Sequence, residues 1–431
     1  MHITILTLGS RGDVIPYLAL GGALQRVGHE VRVITFEDFQ STVRSKGLDF
    51  HPVRGEMRLL LSQDSGLSLT ESGLSVMRMA LSLLRIFQPL AHGFAEDLSA
   101  PELRQTDLLI NQLPGGIYGL DLAEAAGIPM SMAAVMPLAP TRCQPMLAFP
   151  RWPARIPGYN IFTHWLAYQV VWWIFRSTVS RWRTQDLGLS RPPFWGVWRN
   201  LQNERFAVLN AYSPHVAPPP ADWGSHVHTT GAWSDTEEEW RPPDDLVRFI
   251  ESGSQPIYIG FGSMPTRRPQ RITLAVIEAL ERTGLRAVID AGWGGLSPRQ
   301  LPSGVHPVDR VPHNWLFPQM AAVVHHGGSG TTHAGLRAGV PSLLVPFVFD
   351  QFYWAERVKA LGVGPAAIPN RKLTADRLTS AFDRLRHDDD MRRRAAEVGR
   401  VVRSEGGVAQ AVSIIESLLM GSRAEREAPA P

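Results

Sequence analysis

A single cysteine, Cys143, occurs in the 431 residues. One thiol excludes a disulfide framework within the chain and a cysteine-built zinc site, and makes the cytoplasm the natural expectation. Lysine is scarce, arginine carries most of the positive charge, and the formal net charge is only +3. That balance does not suggest a nucleic-acid binder. No run reaches the length of about 18 apolar residues that a spanning helix needs, so none is expected. The opening MHITILTLGSRGDV is apolar for about six residues and then meets Gly, Arg and Asp; with no basic leader and no signal-length core it reads as a first β-strand.

Other absences concern chemistry. The glycine-rich stretch HHGGSGTTHAG, residues 325–335, is followed by no Walker lysine, which disfavours a nucleoside-triphosphate hydrolase. GSRGDV lacks the third glycine of a dinucleotide fingerprint, and Glu37 is only near the place where an acidic residue should close the second strand. No pair of carboxylates in a DxD pattern stands at a strand end, so no metal is expected.

What is present is an ordinary folded composition, 44% hydrophobic and 19% charged, with enough length for two domains. The first third alternates strand and helix signals. ITILTL (3–8) reads as a buried strand, GSRGDVIP as a loop, YLALGGALQRVG (17–28) as a helix and HEVRVITF (29–36) as the next strand. LLIN (108–111) and MSMAAV (130–135) follow as strands around a helical GLDLAEAAG, and residues 71–100 form a helical region broken at Pro89. This is a series of βα units and hence a parallel sheet. SPHVAPPPADWG (213–224) marks a linker, after which PIYIGFGS, LRAVIDAG, VHPVDRV, AAVVHH and PSLLVPF restart the pattern. The end of the chain reads as helical to Met420, with a frayed GSRAEREAPAP.

Residues 137–200 stand apart because seven tryptophans fall there: Trp152, Trp165, Trp172, Trp173, Trp182, Trp195 and Trp198. Three readings fit them: helix packing on the core, an apolar pocket for a bulky ligand, or a membrane-facing surface.

In HHGGSGTTHAG the strand AVV precedes and a helix follows. Gly327, Gly328 and Gly330 remove side chains at the turn, so backbone N–H groups at the helix start can face a phosphate. Thr331 and Thr332 can cap the helix or donate hydroxyl hydrogen bonds, and His326 can donate to a diphosphate oxygen. A capped turn with satisfied histidines explains the same residues without a ligand.

With GSRGDVIPYLALGGALQRVGHEVRVIT, GFGSM, VPHNWLFPQMAAVVHHGGSGTTHAGLRAGVPSLLVPF and DQFYWAERVKALGVGP in order, the sequence resembles the glycosyltransferases of the two-Rossmann-domain (GT-B) type that glycosylate small hydrophobic molecules, among them sterol glucosyltransferases and bacterial transferases of antibiotic aglycones. The resemblance implies an α/β fold of two Rossmann-like parallel-sheet domains facing each other across a cleft, with C-terminal helices packing back on the first. It divides the chain into an acceptor-binding domain 1–215, a linker 216–245, a nucleotide-sugar-binding domain 246–395, a helical segment 396–420 and a flexible tail 421–431. It places Asp13 as catalytic base, against the simpler reading that Asp13 caps a helix running from Pro16. It places His326 on the donor diphosphate, with Gly328, Ser329, Gly330, Thr331 and Ser263 beside it and Ser10, Arg11 and Gly12 across from it. Arg310 and Val311 fall where the nucleotide base is held; plant members have a stacking tryptophan there. Asp350 and Gln351 fall on the pair that reads the sugar hydroxyls, Asp350 as an acceptor and Gln351 as both donor and acceptor.

The activity implied is inverting, metal-independent transfer of glucose from UDP-glucose, a substrate rather than a resident cofactor, to a hydroxyl of a sterol, triterpenoid, polyketide or flavonoid-like acceptor. Residues 57–90 and 137–200 are the expected acceptor walls. A nucleotide-sugar epimerase of the same fold and a non-catalytic nucleotide-sugar-binding protein remain as alternatives. No nucleic-acid partner is expected, the chain is a monomer or homodimer, and weak peripheral contact with a membrane stays open.

Overall fold

A computed structural model describes residues 1–73, 75–112, 117–196, 206–234, 240–262, 264–290 and 301–427. Short apolar runs such as His2–Leu6, Leu108–Gln112 and Met130–Ala134 are buried along nearly their whole length, the pattern of parallel strands covered on both faces. Seven strands form the first sheet: β1 (His2–Leu6), β2 (Glu30–Phe36), β3 (Asp49–Val53), β4 (Leu108–Gln112), β5 (Met130–Ala134), β6 (Val208–Asn210) and β7 (Val227–Thr229). Their order is β3-β2-β1-β4-β5-β6-β7, all parallel. The second sheet holds β8 (Ile257–Gly260), β9 (Ala287–Asp290), β10 (Val305–Val308), β11 (Ala322–His325) and β12 (Ser342–Leu344), in the parallel order β10-β9-β8-β11-β12.

In both sheets the chain order reverses beside the first strand. β1 lies between β2 and β4, and β8 lies between β9 and β11. Such switch points open a crevice at the carboxyl ends of the strands, where ligands of open α/β sheets bind. GSRGDV follows β1, and the histidine–glycine turn follows β11.

Four local expectations change. GSRGDVIP is mostly helix: the helix spans Arg11–Arg26 and includes Asp13 and Pro16. Ser10 occupies its N-cap and Asp13 its third position, a Ser-x-x-acid start that outweighs the backbone hydrogen bond Pro16 cannot donate. β3 (DFHPV) was hidden by its polar and proline content. β7, inside the span read as linker, adds an edge strand to the first sheet. The last helix, Gly407–Glu427, continues into the stretch read as frayed.

The two domains are tied together at several points. Ala411, Val412, Ile415 and Leu419 of the last helix join the core of the first domain, as expected. From the first domain, Thr70 Oγ donates to the Pro265 carbonyl at 2.9 Å, and Gly73 makes an isolated parallel bridge with Val348. Arg267 of the second domain pairs with Asp64 and Glu71. The segment carrying the helices Met57–Ser62 and Asp64–Thr70 therefore abuts the second domain.

Candidate active site

The first wall is built at the end of β1. Gly9 sits at φ +152°, and a Cβ there would come within 2.4 Å of Asp13 Oδ2, so the glycine makes room for the carboxylate. Asp13 Oδ2 accepts from the Ser10 N–H at 2.8 Å and the Ser10 hydroxyl at 3.1 Å. Its Oδ1 accepts from Gln112 Nε2 at 3.2 Å, and Gln112 is held in turn by the Leu8 N–H, which donates to Oε1 at 2.7 Å. Burial raises the Asp13 pKa above its ordinary value, and the hydrogen bonds from Ser10 and Gln112 only partly oppose it. Asp13 thus bonds back to the helix N-cap as a capping residue does, and it does so as a carboxylate of increased basicity. Burial, and after it the charges of His326 and Arg11, lower the pKa of His313 in the second domain to about 4.

The opposite wall begins where β11 ends. His325 is fully buried, and its Nδ1 accepts from the Gly327 N–H at 3.1 Å, which holds the turn. His326 is the histidine left to the cleft. A Cβ on Gly328 would stand 2.5 Å from His326 Nε2, so this glycine accommodates the imidazole. Burial lowers the His326 pKa to about 4, leaving a neutral ring at pH 7. The helix Ser329–Ala338 has Gly328 as its N-cap, which supplies no side-chain oxygen. The first-turn amides of Ser329, Gly330 and Thr331 stay available to an anion. Thr332 does not cap the helix; its hydroxyl donates to the Gly328 carbonyl at 2.9 Å.

After β12 the chain turns at Phe349, a non-glycine residue at φ +51°, into the helix Asp350–Leu361. Such a conformation costs on the order of 1–3 kcal/mol and is characteristic of functional turns. Asp350 Oδ2 accepts from Trp354 Nε1–H at 3.1 Å. Burial, and after it the negative charge of Asp13, raises the Asp350 pKa to about 7. Near neutral pH the carboxyl is shared between an ionised form that only accepts and an acid form that also donates. Gln351 has less freedom than an amide side chain offers in general. Its Oε1 is taken by the Phe347 and Val348 amides at 2.8 and 3.2 Å, while Nε2 faces the Met264 sulfur at 3.2 Å. Only the amide NH₂ is left for a ligand.

Arg310 follows β10 and is exposed, in a left-handed backbone conformation at φ +53°. Val311 packs on the cluster around Leu316 and Phe317. Ser263 lies outside the described residues. The tryptophans divide: Trp172 and Trp182 are buried in the core, Trp165 is half-buried, Trp152, Trp173 and Trp195 face solvent, and Trp198 lies outside the described residues.

Sequence reasoning did not find Gln112, Trp354 or His333. His333 is buried in the Ser329–Ala338 helix; its Nδ1–H donates to the Ser329 carbonyl at 2.8 Å, and its Nε2 accepts from the Ser213 N–H of the first domain at 3.1 Å. Its ring also meets Trp354 edge-on at 4.9 Å. The visible signal was a third histidine inside a glycine–threonine turn. Among the described residues no group of three or more His, Cys, Asp or Glu side chains is arranged to hold a metal.

Two switch-point crevices, one with a half-buried carboxylate and one with an anion-ready helix start, define a two-Rossmann-domain transferase. Comparison with known proteins agrees. Residues 3–144 match the glycosyltransferase family 28 N-terminal domain, and residues 287–418 match the erythromycin biosynthesis protein CIII-like C-terminal domain. Sterol 3-beta-glucosyltransferase UGT80B1 of Arabidopsis thaliana is 36% identical over 423 residues, covering 96% of this chain and 67% of the relative. Among solved structures, the glycotransferase of kitacinnamycin superposes with a TM-score of 0.69 at 20% identity, covering 97% of this chain and 99% of that one. The glycosyltransferase VinC, in complex with dTDP, superposes at 0.68 and 21% identity, covering 97% of this chain and 100% of that one. The chain belongs to the GT-B glycosyltransferase family that includes the sterol glucosyltransferases and the bacterial natural-product transferases. It is a transferase whose family takes nucleotide-sugar donors and hydrophobic small-molecule acceptors.

Proposed function

We propose that the chain transfers glucose from UDP-glucose to a hydroxyl of a flat or elongated apolar acceptor, with inversion and without a metal. The observation that carries this reading is the half-buried Asp13 carboxylate at the end of β1, held by Ser10 and Gln112 and of raised basicity. Asp13 takes the acceptor hydroxyl proton as the oxygen bonds to the sugar anomeric carbon. The bond from that carbon to the diphosphate breaks, and the electron pair leaves with the diphosphate. The amides of Ser329, Gly330 and Thr331 and the neutral His326 imidazole receive that charge. A single displacement turns an α-linked donor into a β-glycoside.

The second domain takes the donor. Arg310 stacks its guanidinium on the base, and Asp350 and the Gln351 NH₂ bind glucose hydroxyls. Ser10, Arg11 and Gly12 face the donor from the first domain. The acceptor lies under the helices Met57–Ser62 and Val76–Phe87, where Leu59, Met77 and Leu81 are exposed apolar side chains. Incubation with UDP-glucose and a panel of sterols, triterpenoids, polyketide aglycones and flavonoids should give a glycoside with β anomeric coupling by NMR. An α-linked product, an altered free nucleotide-sugar, or no product with any acceptor would sink the reading.

A further inference from the structure

Residues 125–185 contain no Asp or Glu and six arginines: Arg142, Arg151, Arg155, Arg176, Arg181 and Arg183. Most of this stretch is the helix Tyr159–Gln185 and the turn leading into it. Arg183 is consumed by the buried Asp121 and by Glu124. Arg155 and Arg181 remain exposed.

On this helix and the turn after it a row of rings faces outward. Phe162, Trp173, Phe194 and Trp195 are 51%, 48%, 53% and 54% exposed. They form one chain of contacts: Phe162 stacks on Trp165 at 5.7 Å, Trp165 meets Trp195 at 5.8 Å, Trp195 meets Phe194 at 4.9 Å, and Phe194 meets Trp173 at 5.5 Å. Arg176 lies over both Trp173 and Phe194, at 4.7 and 4.5 Å. Just before the helix, Trp152 and Ile156 are also exposed.

Single exposed apolar side chains are ordinary, but a contiguous patch is not. This one is held rigidly from beneath. Trp172 Nε1 donates to the Phe194 carbonyl and Gln169 Nε2 to the Trp195 carbonyl, both at 3.0 Å, and a Cβ on Gly196 would collide with the Trp172 ring. The helix is long but not apolar enough to cross a bilayer. Half-exposed tryptophans beside arginines, on and next to a helix free of carboxylates, match the interface of an anionic membrane: the rings suit the headgroup boundary and the guanidinium groups the lipid phosphates.

We propose that the face formed by Phe162, Trp165, Trp173, Arg176, Phe194 and Trp195 docks on an anionic lipid surface. Phe175 of this helix packs on Phe87 of the Val76–Phe87 helix, so the docked face adjoins the acceptor wall; that link alone rests on the acceptor assignment above.

The test is flotation of the purified full-length protein with phosphatidylcholine vesicles, with and without phosphatidylglycerol. The wild type should float with the anionic vesicles, less with the neutral ones, and less in high salt. Trp173→Ser/Trp195→Ser and Arg176→Glu should lower the bound fraction by roughly tenfold with unchanged thermal melting, since both rings and charge contribute to interfacial binding. No flotation of the wild type with anionic vesicles would overturn the proposal. So would equal flotation of correctly folded variants. A concentration-dependent dimer that the tryptophan variant abolishes, seen by sedimentation without vesicle binding, would instead assign the face to a second copy of this chain. None of these readouts uses catalysis, so their failure and failure of the proposed reaction are distinguishable.

Discussion

Asp13 and Asp350 stand on opposite domains, yet the charge of the first helps to hold the carboxyl of the second up at about 7. One carboxylate follows β1 and the other follows β12. Two acids coupled across a cleft, with burial raising both, invite a division of labour. Asp350, raised to about 7, keeps its proton to near-neutral pH, while Asp13 is held by the Ser10 and Gln112 donors; the proposed reaction takes Asp13 as the base.

The first prediction concerns Asp13. In Asp13→Asn the amide oxygen still accepts from the Ser10 N–H, so melting temperature and UDP affinity should hold. Turnover should fall by roughly 10²–10⁴-fold, the usual worth of general acid–base catalysis. Near wild-type turnover in steady-state kinetics would remove Asp13 from the base role, and a collapse of thermal stability would make it a helix cap.

Gln112 gives a second, sharper measurement. Its N–H bond to Asp13 lowers the carboxylate pKa, so removing that bond must raise it. Activity that requires ionised Asp13 is lost as pH falls through that pKa. In Gln112→Met the acidic limb of the kcat/KM–pH profile should therefore move to higher pH, with activity recovering at alkaline pH. A uniform loss at every pH would mean that Gln112 only supports the β1 turn.

These relationships also show what a sequence carries and what it does not. The parallel strands were legible because strands buried on both faces read as apolar runs, and HHGGSGTTHAG was legible because few other needs explain so many glycines beside histidines. β3 and β7 were not, since DFHPV and VHT are polar edge strands whose pairing comes from neighbours. Gln112 meets Asp13 from 99 positions away, and Ser213 meets His333 from 120 away; no local pattern announces such pairs. The direction of each tryptophan was equally hidden: on a helix with no clear apolar stripe, neighbouring Trp172 and Trp173 are respectively core and surface.

A third prediction concerns His326. The free ring has a pKa of about 4, and a bound diphosphate would raise it through its negative charge. When the pKa in the complex exceeds that of the free protein, binding takes up protons, and affinity rises as pH falls from the upper pKa toward the lower. UDP titration calorimetry from pH 8 to pH 5, in buffers of different ionisation enthalpy, should show this proton uptake. His326→Ala should abolish it and weaken UDP by about 1.5–3 kcal/mol, the worth of a charge-assisted hydrogen bond. Unchanged UDP affinity in His326→Ala would remove the diphosphate contact.

The last prediction concerns the donor sugar and follows from how Asp350 and Gln351 are held. The Gln351 carbonyl is occupied by the Phe347 and Val348 amides, so the side chain offers a sugar only N–H donors. Asp350 keeps one oxygen on Trp354, and its other can accept a hydroxyl proton or donate its own. Together they suit adjacent hydroxyls in a fixed pose, one donating to the carboxylate and one accepting from the amide. A deoxysugar lacking either hydroxyl leaves a buried polar group unpaired, at about 1–3 kcal/mol each, or about 5- to 150-fold in preference. In competition among UDP-glucose, UDP-galactose, dTDP-glucose and dTDP-rhamnose, glucose donors should win, and Asp350→Ala should erode that advantage more than it lowers UDP affinity. Gln351→Leu is the less clean variant, because it also strands the two amides that Gln351 holds. Preference for the deoxysugar in the wild type would overturn the sugar-reading role of the pair. Equal use of UDP- and dTDP-glucose would leave that pair intact and show that Arg310 does not discriminate between the two bases, as stacking by an exposed guanidinium allows.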